Sequence, residues 1–195
     1  LSRPQQLMAA EREIIEEAYA GDIIGVFDPG IFSIGDTLCA PGKKFKFDPI
    51  PTFAPEHFRR VRPLDTMKRK QFLKGMEQIA QEGAIQIFKT PYTGMEEVIV
   101  GVVGTLQFDV LEYRLKNEYN VELYMEGLPY EYLRWIVNED GEPYKEDDLI
   151  LGTDVKLVED YKGHQLLLFA SQWSINWVAE KNEDLTLAEF GGARE

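Results

Sequence analysis

The sequence is poor in the residues that build disulfides and metal sites. It contains one cysteine, Cys39, and only two histidines, His57 and His164, in 195 residues. A single thiol excludes an intramolecular disulfide, and the two histidines, far apart and without a cysteine pair, do not form a zinc-ligand pattern. A lone cysteine is typical of a reducing compartment, so we expect a cytoplasmic protein.

Long apolar runs are also missing. No stretch approaches the roughly 18 consecutive apolar residues that a membrane-spanning helix needs, and we expect no membrane partner. The first residues, Leu1-Ser2-Arg3-Pro4, show neither the basic nor the apolar segment of a signal peptide and no initiator methionine. We therefore expect the chain to be a cut fragment.

The sequence lacks a nucleotide-binding loop. Pro41-Gly42-Lys43-Lys44 has neither the upstream glycine nor the hydroxyl residue of a phosphate-binding loop, and Gly101 and Gly104 lack the third glycine of a dinucleotide motif. A Cys39 nucleophile is a remote alternative, and the acidic pairs such as Asp147-Asp148 resemble solubilising surface. We expect no catalytic, cofactor-binding or metal-binding residues in this chain.

Charge is plentiful and unevenly placed. The chain holds 21 basic and 34 acidic residues, a net charge of −13, yet residues 43–74 carry ten basic and three acidic residues, a local net of +7. An anionic partner would have to approach this segment, because the rest of the surface repels phosphate. A merely solvated helix face is the alternative interpretation. The candidate nucleic-acid contacts are Arg59, Arg60, Arg62, Lys68, Arg69, Lys70 and Lys74.

The first part of the chain, residues 1–48, has the pattern of short strands. A Gly21-Asp22 turn precedes the apolar run 23–27, and the runs 31–34 and 37–39 follow it. Short strands at this spacing predict part of a β-barrel or a β-sandwich, and the open edges of so few strands require further chain or the following domain to cover them. Pro49, Pro51 and Pro55 then predict a stiff connector over residues 49–55.

Residues 56–195 predict an α+β domain. The order is strand 57–62, helix 66–82 capped by Asp65, strands 85–88 and 98–103, a helix from residue 105, and strand 121–126. This is the split βαβ, or ferredoxin-like, arrangement of an antiparallel sheet covered by two helices. We place Phe108, Leu111 and Leu115 on one face of the second helix together with Leu106 and Val110.

A C-terminal extension follows this motif. It contains predicted strands at 133–137, 154–158 and 165–169, a helix at 172–180, and a polar tail. Residues 138–160 are strongly acidic and predict an exposed loop with a short helix. For Trp135, Trp173 and Trp177 we expect mostly core packing, with a base-stacking platform as the alternative.

Several strings resemble one known family. They are FAPEHFRRVR at residues 53–62, KQFLKG at 70–75, EGAIQIF at 82–88, VGVVGTLQFDV at 100–110 and RLKNEYNV at 114–121, with Arg134-Trp135 beyond them. Together they resemble the C-terminal part of the class II release factors, the bacterial release factor 3 family of translational GTPases. EEAYAGDIIG at 16–25 and IGDTL at 34–38 are similar to the second half of the elongation-factor-type β-barrel in that family. The similarity is looser from residue 137 onward.

The resemblance implies a role in translation termination. Class II release factors promote the GTP-dependent dissociation of class I release factors from the ribosome after peptide release. The family's GTP and magnesium sites lie in an N-terminal domain without a counterpart in these residues, so the fragment itself is not expected to be an enzyme, whereas its parent would be a GTPase. The implied partners are the small ribosomal subunit near the decoding region and, indirectly, a class I release factor.

Two other functions stay open at the level of sequence. The chain could belong to another elongation-factor-type translational GTPase, although the strings from 53 to 88 argue against this. It could also be a non-catalytic interaction module whose acidic face binds a basic protein. A small-molecule enzyme is a third alternative that no motif supports.

Overall fold

The computed structural model describes residues 5–8, 11–27, 31–32, 34–47, 53–91, 98–138 and 143–189. They belong to two compact units, Leu1–Phe47 and Asp48–Glu195. The predicted connector at 49–55 lies largely outside the described residues.

The first unit begins with an antiparallel hairpin of β1 (Gln5–Met8) and β2 (Glu11–Ile14). Tight turns with a glycine at positive φ follow, among them those at Gly21 and Gly42. At Gly21 (φ 101°), the Asp22 amide donates to the Tyr19 carbonyl at 3.0 Å, which confirms the predicted Gly-Asp turn. At Gly42 (φ 85°), the Lys43 amide donates to the Ala40 carbonyl at 3.1 Å. Proline followed by glycine suits the two central positions of such a turn, which explains Pro41-Gly42 without a phosphate.

In the described part of residues 23–39 the structure has no strand where strands were predicted, and one isolated bridge residue, Gly25. The apolar residues of the first run suit a strand, but Ile23 is 88 % exposed and Phe27 is 75 % exposed. A strand requires a neighbour for its backbone groups, and the described residues of this unit contain none beside this stretch.

The second unit starts with the predicted split βαβ motif, here called the N-terminal lobe. It consists of β3 (His57–Pro63), a 3-10 helix (Thr66–Lys68), α1 (Arg69–Gln81), β4 (Gln86–Lys89), β5 (Val98–Val102), α2 (Leu106–Tyr119) and β6 (Leu123–Leu128). The strand order is β4-β5-β3-β6, antiparallel throughout. Asp65 caps the first helical turn as predicted, since its carboxylate accepts from the Met67 amide at 2.9 Å.

The extension forms a second lobe with the same strand order, here called the C-terminal lobe. It consists of β7 (Tyr132–Val137), a 3-10 helix (Glu146–Asp148), β8 (Val155–Asp160), β9 (Gln165–Phe169), α3 (Gln172–Lys181) and β10 (Thr186–Ala188). The order β10-β7-β9-β8 places the fourth strand beside the first, then the third, then the second, as in the N-terminal lobe. The short 3-10 helix stands where α1 would come. The sequence showed no repeat, and β10 was not predicted.

The lobes share one eight-stranded sheet through a short antiparallel junction. Only Phe88↔Asp160 and Lys89↔Glu159 pair between β4 and β8. One apolar cluster lies between the strands of the N-terminal lobe and α1 and α2, and a second lies between the strands of the C-terminal lobe and α3.

A third apolar cluster lies on the other face of the sheet and comes from both lobes. Its members are Phe58, Phe88, Ile99, Leu133, Val158, Leu166 and Leu168. All are strand residues no more than 4 % exposed, and the half-buried residues packed on them come from strands or the β6–β7 turn. The two halves of the sheet therefore cover each other across this cluster.

Two polar side chains fasten the helices of the N-terminal lobe. Gln107 accepts from the amides of Val103 and Gly104, both at 3.0 Å, and donates to the carbonyl of Ala84 at 2.6 Å. It thereby ties the start of α2 to the end of α1. At the other side, Arg114 bonds both Glu82 and Glu118.

Candidate nucleic-acid interface

The seven predicted basic residues come from three neighbouring elements of the N-terminal lobe. Three belong to β3, one ends the 3-10 helix and three belong to α1. Their distribution follows from the periodicities of these elements, because successive strand residues point to opposite faces and successive helix residues rotate by about 100°. The structure therefore does not bring all seven onto one surface.

The three arginines of β3 divide between the faces of the sheet. Arg59 lies on the helix side, with its guanidinium 4.3 Å from the centre of the Phe108 ring. Arg60 and Arg62 lie on the other side. Arg60 forms a 3.1 Å ion pair with Glu126, and the Arg62 guanidinium sits 4.5 Å from the centre of the Tyr124 ring. All three already have partners within the lobe.

Lys68 has a structural contact at the end of α2. Its Nζ donates to the carbonyl oxygen of Asn120 at 2.6 Å, and Asn120 is the left-handed residue (φ 55°) that ends the helix. A cation at a helix C-terminus compensates the negative end of the helix dipole. Lys68 therefore joins the start of α1 to the end of α2.

Lys70 and Lys74 form the most accessible part of the candidate interface. They lie one turn apart on the exposed side of α1, opposite the buried Phe72, Met76 and Ile79. Within the described residues neither ammonium group forms an ion pair. Arg69, also exposed, precedes them at the start of the helix. A like-charged pair at this spacing costs a few tenths of a kcal/mol in a helix, so an anionic partner would relieve it.

A separate cleft opens between the starts of β3 and β7. Its volume is about 570 Å³, and its lining includes Glu56, His57, Glu131, Arg134 and Glu189. Arg134 pairs with Glu189 at 3.5 Å. Because the cleft contains more carboxylates than cations, it does not suit a phosphate group.

Tyr130 lies in a smaller cavity beside this cleft. Burial raises the pKa of its phenol above the ordinary value, while the neighbouring Arg60 acts in the opposite direction. Tyr130 packs against the third apolar cluster. The phenol is therefore a neutral packing group at ordinary pH, not a titrating one.

The tryptophan prediction is confirmed for two of the three residues. Trp135 packs on the cluster shared by the lobes and Trp177 on the cluster beneath α3. Trp173 is 68 % exposed, so the core prediction is wrong there. Trp173 lies on the outward side of α3. This short helix carries apolar residues on several sides, so its periodicity alone did not predict which side faces the solvent.

The face assigned to α2 also needs correction. Phe108, Leu111 and Leu115 are buried as predicted, but Leu106 is 76 % exposed and Val110 is 50 % exposed. The helix carries apolar residues on both its inner and outer faces. Which face is buried depends on where the sheet lies, and the sequence of the helix does not encode that position.

In the described part of the chain, no group of three or more histidine, cysteine, aspartate and glutamate residues could hold a metal ion. The helices in those ranges are too short or too polar to cross a membrane.

Comparison with known proteins identifies the family. Residues 47–179 match the model described as "Class II release factor RF3, C-terminal domain", and residues 1–41 match "Elongation factor G domain 2". Similar proteins named peptide chain release factor 3 occur in Symbiobacterium thermophilum (50 % identity over 194 residues), Listeria welshimeri (44 % over 190) and Streptococcus mutans (43 % over 189).

The coverage of these matches is unequal. They include 100 % of this chain for the Symbiobacterium protein and 97 % for the other two, but only 36 %, 35 % and 35 % of the relatives' own length. The barrel match fits the partial β-barrel predicted for the first unit. The family model spans both lobes as far as α3, which confirms the resemblance in the strings of residues 53–121, and the chain thus belongs to the class II release factor RF3 family.

Proposed function

We propose that this chain is the ribosome-contacting C-terminal part of a class II release factor that acts in translation termination. The names of the relatives support this role, because each is a peptide chain release factor 3. The complete factor would promote GTP-dependent dissociation of class I release factors from the ribosome, in the cytoplasm, after peptide release.

The exposed lysine pair of α1 carries the structural part of the proposal. Lys70 and Lys74 lie on a rigid helix whose opposite side is anchored by Phe72, Met76 and Ile79 in the first apolar cluster. Long cationic side chains on a fixed helix face can reach phosphate oxygens without ordering new backbone. We therefore place the contact with small-subunit ribosomal RNA on α1, with Arg69 beside it.

The other candidate cations would have secondary roles. Arg60 would have to give up its ion pair with Glu126, and Lys68 its bond to the Asn120 carbonyl. Arg62 can remain on Tyr124 and still present its guanidinium, since it is exposed. The largest loss on charge reversal should therefore come from α1.

The chemistry of GTP belongs to another part of the factor in this proposal. The sequence contains no glycine-rich loop followed by lysine and a hydroxyl residue, so these residues do not fit a nucleotide and its magnesium ion. The relatives are almost three times as long as the stretch that this chain matches. We propose that GTP and magnesium bind in the part of such a factor that lies outside this match.

Cosedimentation with purified small ribosomal subunits tests the RNA contact. The double variant K70E/K74E is compared with K145E/K162E, which changes the net charge by the same amount but lies in the C-terminal lobe. We expect saturable binding of the unmodified chain and of the control. Loss of two phosphate contacts in K70E/K74E should reduce the slope of log K against log salt by about 1.4 to 1.8. Equal weakening by both variants would contradict the placement on α1.

A further inference from the structure

We infer that the exposed side of α3 around Trp173 is a docking surface for a basic protein segment, one that presents lysine or arginine side chains. This surface lies in the C-terminal lobe and is independent of the RNA contact proposed for α1. A basic protein segment would be a second partner, chemically different from the ribosomal RNA of the proposed function.

The surface is an ordered aromatic pair. Trp173 and Trp177 lie one turn apart on α3, with ring centres 6.4 Å apart and planes inclined by 27°, so the rings stack. Trp177 is half-buried against the apolar cluster beneath α3 and is fixed by it. Trp173 rests on Trp177 and is 68 % exposed. The indole is therefore held in place, and its outward face is available to a ligand at little entropic cost.

One carboxylate, that of Glu180, lies on the same side of α3 as this pair. The Asp154 carboxylate lies near the Gly152 backbone but already accepts a hydrogen bond from the buried Ser174 hydroxyl of α3. Glu180 follows Trp177 by three residues on the same side of the helix, and Lys181 is the neighbouring cation. The wider field is acidic as well, since residues 129–189 hold fourteen acidic and five basic residues, a net charge of −9.

The combination of rings and charge selects the partner. Tryptophan is the aromatic side chain that attracts Lys and Arg cations most strongly through its ring face. The net negative charge of residues 129–189 adds to that attraction and steers a basic segment toward the helix. A nucleotide base could stack on the same ring, but its phosphates would then enter a field of negative charge. The observations therefore favour a cationic protein segment over RNA.

Fluorescence anisotropy of a labelled ten-residue arginine peptide tests the docking surface. The peptide is titrated with the unmodified chain, with Trp173→Ala, and with Tyr113→Ala, which removes an equally exposed ring, 68 % accessible, from α2 in the other lobe. We expect saturable binding that weakens about three- to thirtyfold in Trp173→Ala and stays unchanged in Tyr113→Ala. Trp173→Phe should weaken binding less than Trp173→Ala, which separates loss of the ring face from misfolding.

The outcomes that overturn the inference are equally specific. Trp173→Ala keeps the net charge of −13, so binding of the peptide by charge alone would leave that variant as tight as the unmodified chain. A labelled oligouridylate that bound more tightly than the peptide, and lost affinity in Trp173→Ala, would make the surface an RNA platform. The K70E/K74E variant should bind the peptide normally. If the peptide experiment fails while cosedimentation with small ribosomal subunits is normal, the docking surface is overturned and the proposed ribosomal role is unaffected.

Discussion

The N-terminal and C-terminal lobes share one strand order but differ strongly in net charge. Residues 53–128 carry ten basic and eleven acidic residues, a net charge of −1, whereas residues 129–189 reach −9. The first lobe covers its outer face with two long helices, and the second uses one helix and a 3-10 turn. The comparison teaches that inward-pointing strand residues carry the architecture, while the residues outside the buried clusters are free to differ in charge.

The two lobes also share part of their buried core. Leu133, Leu166 and Leu168 of one lobe and Phe58 and Ile99 of the other belong to a single buried cluster. Separating the lobes would expose this apolar surface to water. Although each lobe has its own strand order and its own outer core, we expect them to unfold together.

Substitution of Phe58 by alanine is the strongest way to break this arrangement. Phe58 is 3 % exposed and packs in the shared cluster, so we expect Phe58→Ala to lower the free energy of unfolding by about 3 to 5 kcal/mol. Urea denaturation followed by circular dichroism measures this change. Phe53→Ala is the control, since Phe53 is 74 % exposed and should change stability by less than about 0.5 kcal/mol. Two separate transitions in the unmodified second unit would contradict joint unfolding.

Substitution of Gln107 tests a side-chain link at the start of α2 in the N-terminal lobe. Gln107→Ala removes two hydrogen bonds from the backbone just before α2 and one to the loop after α1, and each typically contributes about 1 kcal/mol. We expect a loss of about 2 to 3 kcal/mol in the same denaturation experiment. Gln71→Ala, on the exposed side of α1, should have little effect. Equal losses in both variants would show that Gln107 does not fasten the helices.

The smallest predicted effect concerns acid stability at the α1–α2 edge. The hydrogen bond from Arg114 lowers the pKa of Glu118 below its ordinary 4.5. A lowered folded-state pKa stabilises the protein above the unfolded-state value, and this stabilisation disappears as the pH falls through the folded-state value. Arg114→Gln should therefore be less stable than the unmodified chain at neutral pH, by an amount that shrinks below about pH 4.5.

NMR titration of the Glu118 side chain measures this effect directly. In Arg114→Gln the carboxyl should titrate at a higher pH than in the unmodified chain. Glutamine preserves much of the length and packing of arginine while removing its charge, so the variant isolates the ion pair. An unchanged titration midpoint would mean that Arg114 does not set the pKa of Glu118.

Much of the N-terminal lobe was predictable because its elements are locally encoded. Asp65 provides a helix cap, Gly83 with φ 76° ends α1, and the alternation of His57 to Arg62 indicates a strand. The predicted domain limits at 48 and 56 stay a prediction. Local rules failed where burial depends on a distant partner: the runs 23–27 and 37–39 have apolar strand patterns but no pairing strand in the described residues.

The candidate interface was predictable in composition but not in arrangement. The charge count placed the candidate residues in the N-terminal lobe, and the positions of Lys70 and Lys74 on the outer side of α1 follow from helical periodicity. The contacts that occupy Arg60 and Lys68 involve Glu126 and Asn120, which lie more than fifty residues away in the chain. No local pattern contains such pairs. The exposure of Trp173 was missed for the same reason, since the core beneath α3 is assembled from β8 and β9.

Directed hydroxyl-radical probing of small-subunit ribosomal RNA tests the central claim most directly. In a Cys39→Ser background, an iron chelate is attached to Gln81→Cys, on the exposed outer side of α1, or to Ala179→Cys, on the exposed surface of α3. Both sites are uncharged helical positions, one in each lobe. The account predicts strong cleavage of the RNA from position 81 and weaker cleavage from position 179. Equal cleavage from both positions, or stronger cleavage from position 179, would contradict it.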